Sequence, residues 1–195
     1  MLFRSMESTD GHRLMRYAVE LPDGIDLVLP AATMKLLQDR VVTIAAARGQ
    51  AVIDAGDGTT IYSRILDGKY PDVAKLIPTS FEHIITVDRH RFTRALERVA
   101  LIAEAHNSVV KLTAAKQLTL TAEADANNGK ETLAYNGTAK GTWAFNVHYL
   151  LDGLKAFRDA EQVTISTNGP TTPVTMSPTD SIGMTYLVMP IQVRN

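Results

Sequence analysis

Apolar and polar residues alternate in short segments along most of the chain, and this two-residue period limits the fold more than any other feature. Such a period is typical of β-strands with one buried face. Clear examples span residues 42–44, 60–62, 110–112, 118–120, 163–165 and 174–176. Turn-forming residues separate the segments, namely Asp57-Gly58, Asn128-Gly129, Asn136-Gly137 and Asn168-Gly169-Pro170. Because Asn-Gly and Asp-Gly pairs favour tight hairpins, the sheets are predicted to be largely antiparallel.

Three segments have the spacing of helices instead. The first follows Pro30, since the missing N–H of proline costs nothing in the first turn of a helix. The second runs from Asp88, a favourable N-cap, to about Glu104, and the third begins after Asn146, another favourable cap. Their apolar residues recur at helical spacing. These residues are Met34 and Leu37, then Phe92, Leu96, Val99 and Ala103, then Leu150, Leu151, Leu154 and Phe157.

The order of these elements repeats along the chain. Residues 26–66 and 143–189 each follow the order strand, helix and three strands, and residues 83–139 between them follow it again. The pattern predicts an α+β fold of half-domain repeats, each with one helix plus antiparallel strands, and with the helices packed on one face of the sheets. If two repeats make one domain, residues 1–78 are an incomplete domain and residues 79–195 a complete one. The linker is then expected near Pro78-Thr79-Ser80.

Composition excludes several classes of protein. The chain has no cysteine, which excludes disulfides and thiolate metal sites and fits a reducing, cytoplasmic setting. No apolar run reaches the roughly 20 residues that span a bilayer, so no membrane partner is expected. The 20 basic and 21 acidic residues nearly balance. Because proteins that grip DNA over a wide surface are usually basic, any contact with DNA is expected to be local or topological.

The densest polar cluster is Thr9-Asp10-Gly11-His12-Arg13-Leu14. One interpretation makes Asp10 and His12 an acid–base pair, because residues two apart on a strand share a face. No nucleophile or third orienting group accompanies the pair, and acid–base catalysis depends first on geometry. The favoured interpretation is a turn, in which Asp10 and Gly11 supply the bend and His12 and Arg13 begin a strand.

Neither a cofactor nor a metal ion is predicted. The histidines form no His-x-x-x-His pair of the kind that holds zinc on a helix. The sequence also lacks a P-loop and a dinucleotide-binding fingerprint.

Arg91, Arg94 and Arg98 form a stripe on the second predicted helix, at spacings of three and four residues. One interpretation is contact with nucleic-acid phosphates, which is independent of base sequence and sensitive to salt. The alternative, favoured by these residues alone, is a solvated face balanced by nearby glutamates. Lys155 and Arg158 on the third helix carry the same two interpretations.

The last apolar segment, residues 186–191, ends close to the C-terminus. One interpretation is an ordinary core strand. Pro190, however, has no N–H for a ladder bond, so strand pairing should stop there and the neighbouring apolar residues should lie near the surface. An exposed apolar patch is a candidate binding site, and methionine adapts its shape to several ligands.

Four motifs resemble those of bacterial DNA sliding clamps, the beta subunit of DNA polymerase III. They are Thr9-Asp10-Gly11-His12-Arg13-Leu14, then Gly68-Lys69-Tyr70-Pro71-Asp72 with Leu76-Ile77-Pro78, then Phe145-Asn146-Val147-His148-Tyr149-Leu150-Leu151-Asp152, and finally Tyr186-Leu187-Val188-Met189-Pro190-Ile191. Their order and their spread over nearly the whole chain make the resemblance specific.

The resemblance implies the DNA-clamp fold, in which a subunit has three similar domains and two subunits close into a ring around duplex DNA. Residues 1–78 then correspond to the second half of the middle domain, and residues 79–195 to the complete C-terminal domain. We therefore expect this sequence to be part of a longer, non-enzymatic processivity factor that is a homodimer when full length. The alternative is a free-standing peptide-binding fragment that does not encircle DNA.

The resemblance also implies a pocket for short linear peptides. The expected partners are the DNA polymerase III catalytic subunit, the clamp loader, and other polymerases and repair proteins with clamp-binding motifs. The residues that match the pocket are Thr9, Gly11, His12, Arg13, Leu14, Pro71, Lys75, Leu76, Asn146, Tyr149, Pro173, Leu187, Val188, Met189, Pro190 and Ile191. Lys75 stands where many relatives have arginine, and lysine lacks the forked donors of a bidentate contact.

By the same resemblance, the second helix lines the central channel or abuts the joint between subunits. Some of the three arginines Arg91, Arg94 and Arg98 are therefore expected to face DNA phosphates. Leu101 and Ile102 match the apolar patch that joins the first domain of the next subunit.

Overall fold

Antiparallel strands alternate with helices in the computed structural model, which describes residues 4–19, 26–37, 42–68, 70–105, 107–124, 127–180 and 183–192. The strands are β1 (Arg4–Thr9), β2 (Arg13–Val19), β3 (Thr43–Ala47), β4 (Gln50–Asp54), β5 (Thr60–Arg64), β6 (His83–Asp88), β7 (Val109–Ala114), β8 (Leu118–Ala124), β9 (Asn127–Leu133), β10 (Asn136–Gly137), β11 (Gly141–Asn146), β12 (Gln162–Thr167), β13 (Val174–Pro178) and β14 (Met184–Val188). The helices are α1 (Ala31–Lys35), α2 (Arg89–Ala103) and α3 (Val147–Ala156), and a short 3-10 helix spans Val73–Leu76. Across these described ranges, no helix has the length and apolar character needed to cross a membrane.

The chain divides into two compact units. The larger unit combines Met1–Val19 with Ala74–Asn195, and the smaller unit is Glu20–Val73. The hairpin β1–β2 belongs to the larger unit because β2 pairs with β14, with Leu14 opposite Leu187. This grouping differs from the predicted division at residues 78 and 79, which remains a prediction about domains rather than compact units.

The larger unit contains two antiparallel sheets. One has the strand order β1-β2-β14-β13-β12-β6-β10 and the other β11-β7-β8-β9. In the chain, β6 is followed by α2 and then by β7, β8 and β9. It nevertheless pairs with β12 in the seven-stranded sheet, whereas β7, β8 and β9 belong to the four-stranded sheet. In return β11, which precedes α3, pairs with β7. The first strand of each predicted half-domain therefore pairs with a strand of the other half-domain. Neither half-domain forms its complete sheet alone.

The two long helices of the larger unit begin where the sequence predicted. Asp88 Oδ1 accepts the N–H of Arg91 at 2.8 Å, and Asn146 Oδ1 accepts the N–H of His148 at 3.0 Å. Each cap satisfies an N–H that has no partner inside the helix. The apolar faces of both helices pack into one core with the sheets, and fully buried examples are Phe92, Leu96, Leu150 and Leu154. Each such side chain stabilises the fold by roughly 1.5–3 kcal/mol through burial.

The smaller unit holds α1 and the three-stranded sheet β3-β4-β5. Its core is small, with Leu37, Ala51 and Ile53 buried. The strand predicted just before α1 is wrong, because residues 26–30 form no strand in the structure. The Leu66 N–H donates to the Val28 carbonyl at 2.8 Å in this segment.

Two of the predicted turns are also wrong. Asn136-Gly137 forms the short strand β10, which pairs with β6. Asn128 and Gly129 lie inside β9 rather than at a bend. Gly129 sits where the strand passes under α2, and a Cβ built on it would lie 3.2 Å from Ile102 Cγ1. Glycine is therefore used here for close packing, which the turn-forming Asn-Gly pair does not reveal. At Asp57-Gly58, by contrast, the predicted turn forms, and Gly58 has a φ of +83°.

Candidate functional site

The cluster at residues 9–14 is a tight turn between β1 and β2. Asp10 Oδ1 accepts the N–H groups of His12 at 3.0 Å and Arg13 at 3.1 Å, and Gly11 has a φ of +88°. Thr9 Oγ1 closes the turn by donating to the Arg13 carbonyl at 2.7 Å. Partial burial opposes the charge on Asp10, but these N–H groups and the Arg13 guanidinium outweigh it and hold the pKa of Asp10 below its usual value. The turn interpretation is confirmed, and the bond between Asp10 and His12 runs through the His12 backbone rather than its ring.

Arg13 joins this turn to helix α3. Its Nε donates to Asp10 Oδ2 at 2.9 Å, and its Nη1 donates to Asp152 Oδ2. Its guanidinium carbon lies 4.5 Å from the centre of the Tyr149 ring, which is the geometry of a cation–π contact. Burial disfavours the charge on Arg13, but the hydrogen bonds with Asp152 and Asp10 outweigh it and raise the pKa of Arg13 above its ordinary value.

The first turns of α3 supply the other side of the site. The ring of Tyr149 stacks on that of His12, with ring centres 6.2 Å apart. The Tyr149 carbonyl accepts the hydroxyl of Tyr186, on β14, at 2.8 Å. Burial raises the pKa of Tyr186 to about 12, so this hydroxyl keeps its proton. Gly153 lets the helix approach Tyr186, because a Cβ there would lie 2.7 Å from Tyr186 Cδ1.

The C-terminal tail completes the site. The Met189 N–H donates to the His12 carbonyl at 2.9 Å, and the Ile191 N–H donates to the Ala144 carbonyl at 2.7 Å. Pro190 lies between them, and β14 ends at Val188, as predicted from the missing proline N–H. Met189 is 39% exposed and Ile191 is 36% exposed. We call the surface formed by His12, Arg13, Tyr149, Met189 and Ile191 the hairpin–tail surface.

Other residues predicted for the pocket have different environments. Leu14, Leu187 and Val188 are buried within the seven-stranded sheet. Leu14 and Leu187 are opposite one another on adjacent strands, so they support the surface rather than protrude from it. The remaining residues have separate environments. Thr9 and Gly11 are exposed in the turn, Asn146 caps α3, and Pro173 is half-buried before β13. Lys75 and Leu76 are exposed on the 3-10 helix, and Pro71 belongs to the smaller unit. Their roles in a pocket stay predictions.

Two residues of this site were not predicted from the sequence, Asp152 and Tyr186. Asp152 lies three residues after Tyr149 on α3, and residues at that spacing share a helix face. That spacing could have identified Asp152 as a neighbour of Tyr149. Nothing in the sequence indicates that it reaches Arg13, 139 residues away in the chain.

The arginine stripe on α2 is not uniform. Arg91 and Arg94 are exposed. Arg98 is exposed as well, but its guanidinium makes two hydrogen bonds to the carboxylate of Glu131, at 2.7 and 2.9 Å. This bidentate contact raises the pKa of Arg98 and lowers that of Glu131. Further along the helix, Leu101 is 75% exposed.

The fold defines the class of protein, which is the DNA clamp. The chain aligns with the DNA polymerase III beta chain of Streptococcus pneumoniae TIGR4 at a TM-score of 0.87 and 28% identity, covering 97% of this chain and 54% of that one. The Caulobacter crescentus beta sliding clamp, solved with PEG bound to its proposed beta-motif tethering region, aligns at a TM-score of 0.86 and 24% identity, covering 98% of this chain and 56% of that one. The predicted α+β clamp fold is thus confirmed.

Sequence comparison identifies the family. Residues 74–192 match the family described as DNA polymerase III beta subunit, C-terminal domain, and the chain belongs to this family. The beta sliding clamp of Synechococcus elongatus is 34% identical over 206 residues, which cover 96% of this chain and 54% of that protein. The chain therefore spans about half the length of the curated relatives it matches.

Proposed function

We propose that this chain acts as part of a sliding clamp, a non-enzymatic processivity factor that tethers the replicative polymerase and other proteins to DNA. Its family supports this role, and so does its similarity to beta sliding clamps along 96% of its length. In this proposal residues 1–78 are the second half of the middle clamp domain and residues 79–195 are the C-terminal domain.

The hairpin–tail surface is the proposed binding site for short linear peptides of clamp partners, such as the polymerase catalytic subunit and the clamp loader. One observation carries this proposal: exposed Met189 is bonded through its backbone to His12, whose ring stacks on Tyr149. Apolar side chains beside a few fixed polar groups suit a ligand with hydrophobic anchors. One or two such anchors, buried against Met189 and Ile191, are expected to supply most of the affinity.

Fluorescence anisotropy with a labelled peptide that begins with glutamine and ends in leucine–phenylalanine tests this site. The wild-type chain is expected to bind with a Kd of roughly micromolar magnitude. Met189→Ala and Ile191→Ala should each weaken binding about tenfold, because truncating a hot-spot side chain at an interface costs more than about 1 kcal/mol. Both side chains are partly exposed, so the variants should fold.

Met6→Ala is the matched control. Met6 is also partly exposed, at 45%, but it lies on β1 opposite Tyr17 and outside the hairpin–tail surface. Its replacement should leave peptide affinity unchanged. Equal affinity of the Met6, Met189 and Ile191 variants would show that peptides bind elsewhere, and a folded wild-type chain that binds no peptide would reject the site altogether.

The DNA contact is proposed to come from α2. Arg91 and Arg94 are exposed and are the better candidates for phosphate contact, since the Arg98 guanidinium is already held by Glu131. A contact of this kind is weak and sensitive to salt, which suits a ring that retains DNA by topology and slides along it. In the full-length homodimer, exposed Leu101 and its neighbour Ile102 are the proposed apolar contact with the next subunit.

A peptide-binding fragment that does not encircle DNA is the second candidate function. It is favoured by the location of the hairpin–tail surface, all of which lies within the larger unit. Sedimentation velocity on the 195-residue chain tests whether this chain alone can close a ring. We expect no closed dimeric ring from this chain alone, and a stable closed dimer would contradict that expectation.

A further inference from the structure

The charge of Arg13 is compensated from two sides within the folded chain. Asp10 accepts a hydrogen bond from its Nε and Asp152 accepts one from its Nη1, while the guanidinium carbon lies 4.5 Å from the centre of the Tyr149 ring. Asp10 belongs to the same turn as Arg13, whereas Asp152 belongs to α3. Asp152 and Tyr149 therefore both hold the guanidinium against α3, and Asp152 does so through a hydrogen bond.

We propose that Asp152 is a positioning residue for peptide binding, which rests on the peptide-binding function proposed above. It holds the Arg13 side chain against Tyr149, so that the hairpin–tail surface is formed before a peptide arrives. Without this bond, Asp10 would still hold Arg13 Nε, but the far end of the guanidinium would lose its hydrogen bond to the helix and be less restrained. A ligand would then have to order Arg13 on binding, and ordering a long side chain lowers affinity.

Tyr186 and Gly153 show that the position of Asp152 is itself well defined. Gly153, the next residue, packs directly on the Tyr186 ring, and the Tyr186 hydroxyl is bonded to the Tyr149 carbonyl. Tyr186 as a whole residue is 5% exposed. This buried contact fixes the helix turn that carries both Tyr149 and Asp152. The side chain of Asp152 is itself 57% exposed, so its replacement does not open a cavity in the core.

The test compares Asp152→Asn with Asp159→Asn. Both changes remove one carboxylate near α3, and the Asp159 side chain is 95% exposed and paired only loosely with Arg158, at 3.7 Å. The two variants therefore change the net charge equally but differ in whether the Arg13 contact is lost. Asp152→Glu is the conservative variant, because it restores a carboxylate one methylene further out.

Two measurements are made on the full 195-residue chain. One is the Kd of the labelled peptide that begins with glutamine and ends in leucine–phenylalanine. The other is nitrogen relaxation of the Arg13 Nη groups by NMR, without peptide, because Nη1 makes the bond to Asp152. Asp152→Asn is expected to raise the Kd about three- to fivefold, which is the range of a partly exposed ion pair, and to make the Arg13 side chain more mobile. Asp152→Glu should recover part of both effects, and Asp159→Asn should change neither.

The outcomes separate this inference from the function on which it rests. If Arg13 becomes mobile but the Kd of Asp152→Asn equals that of Asp159→Asn, Asp152 does not position Arg13 for peptide binding. If the Kd rises while Arg13 stays ordered, Asp152 acts on the peptide directly and the inference is also overturned. A wild-type chain that binds no peptide would reject the proposed function, and with it any positioning role in binding, whatever the relaxation data give for Arg13.

Discussion

Replacing Gly153 with alanine is expected to lower the stability of the larger unit by about 1 kcal/mol, as the balance of two opposing effects. The added Cβ would lie 2.7 Å from Tyr186 Cδ1 and 2.9 Å from Cε1. Unbonded carbon atoms prefer about 3.5–4.0 Å, so the ring or the helix must shift by close to 1 Å. The ring has little room, since it is buried and its hydroxyl is bonded to the Tyr149 carbonyl.

The size of this loss in stability follows from one cost and one gain. Overpacking a filled core commonly costs about 1–3 kcal/mol. Alanine in the middle of a helix gains about 1 kcal/mol over glycine, and Gly153 lies within α3, Val147–Ala156. The net loss of about 1 kcal/mol corresponds to a fall in Tm of about 2–4 °C for a protein of this size. Since Tyr149 and Asp152 lie on the same part of α3, peptide affinity should fall as well.

Differential scanning calorimetry measures the first effect and peptide anisotropy the second. Gly169→Ala is the control, because a Cβ there meets nothing closer than 3.8 Å. That substitution should leave Tm unchanged or slightly raised, through the smaller entropy of the unfolded chain. A Gly153→Ala chain at least as stable as the Gly169→Ala chain, with unaltered peptide binding, would refute the argument that close packing of α3 on Tyr186 sets the site.

Two further predictions concern titration and charge. Burial raises the pKa of Tyr186 from 10.0 to about 12 in the folded chain. The contribution of this shift to stability is therefore fully present below pH 10.0 and is lost as the pH rises through about 12. Urea midpoints of the wild type should fall more steeply above pH 10.0 than those of Tyr186→Phe, and parallel curves would contradict this. Arg94→Ala should weaken salt-sensitive retention on immobilised duplex DNA more than Arg98→Ala, because Arg98 is held by Glu131; an equal loss for both variants would show that the Glu131 contact does not withhold Arg98 from phosphates.

The local features of the fold could be predicted because neighbouring residues determine them. The alternating segments became antiparallel strands, since the period of two residues follows from strand geometry alone. Asp88 and Asn146 cap the helices through bonds to residues two or three positions away. The turn at Asp10 and Gly11 is equally local, and it was predicted for the same reason.

The predictions of local structure were wrong where contacts between residues far apart in the chain decide the structure. Gly129 lies in a strand because α2 passes over it, and an Asn-Gly pair carries no information about such a neighbour. Residues 26–30 form no strand, although the Val28 carbonyl accepts the Leu66 N–H.

The sequence by itself determined most of the strands, the helix starts, the turn at residues 9–14 and, through four motifs, the family. Only the tertiary structure brought Arg13 to Asp152 and Tyr149, and bonded the tail at Met189 to His12. The physical reason is that hydrogen-bond capacity and apolar character are properties of single residues, whereas the choice of partner depends on how helices and sheets pack. Asp152 was visible in the sequence as an acid on a helix, but its contact with Arg13 exists because Gly153 lets that helix lie against β14.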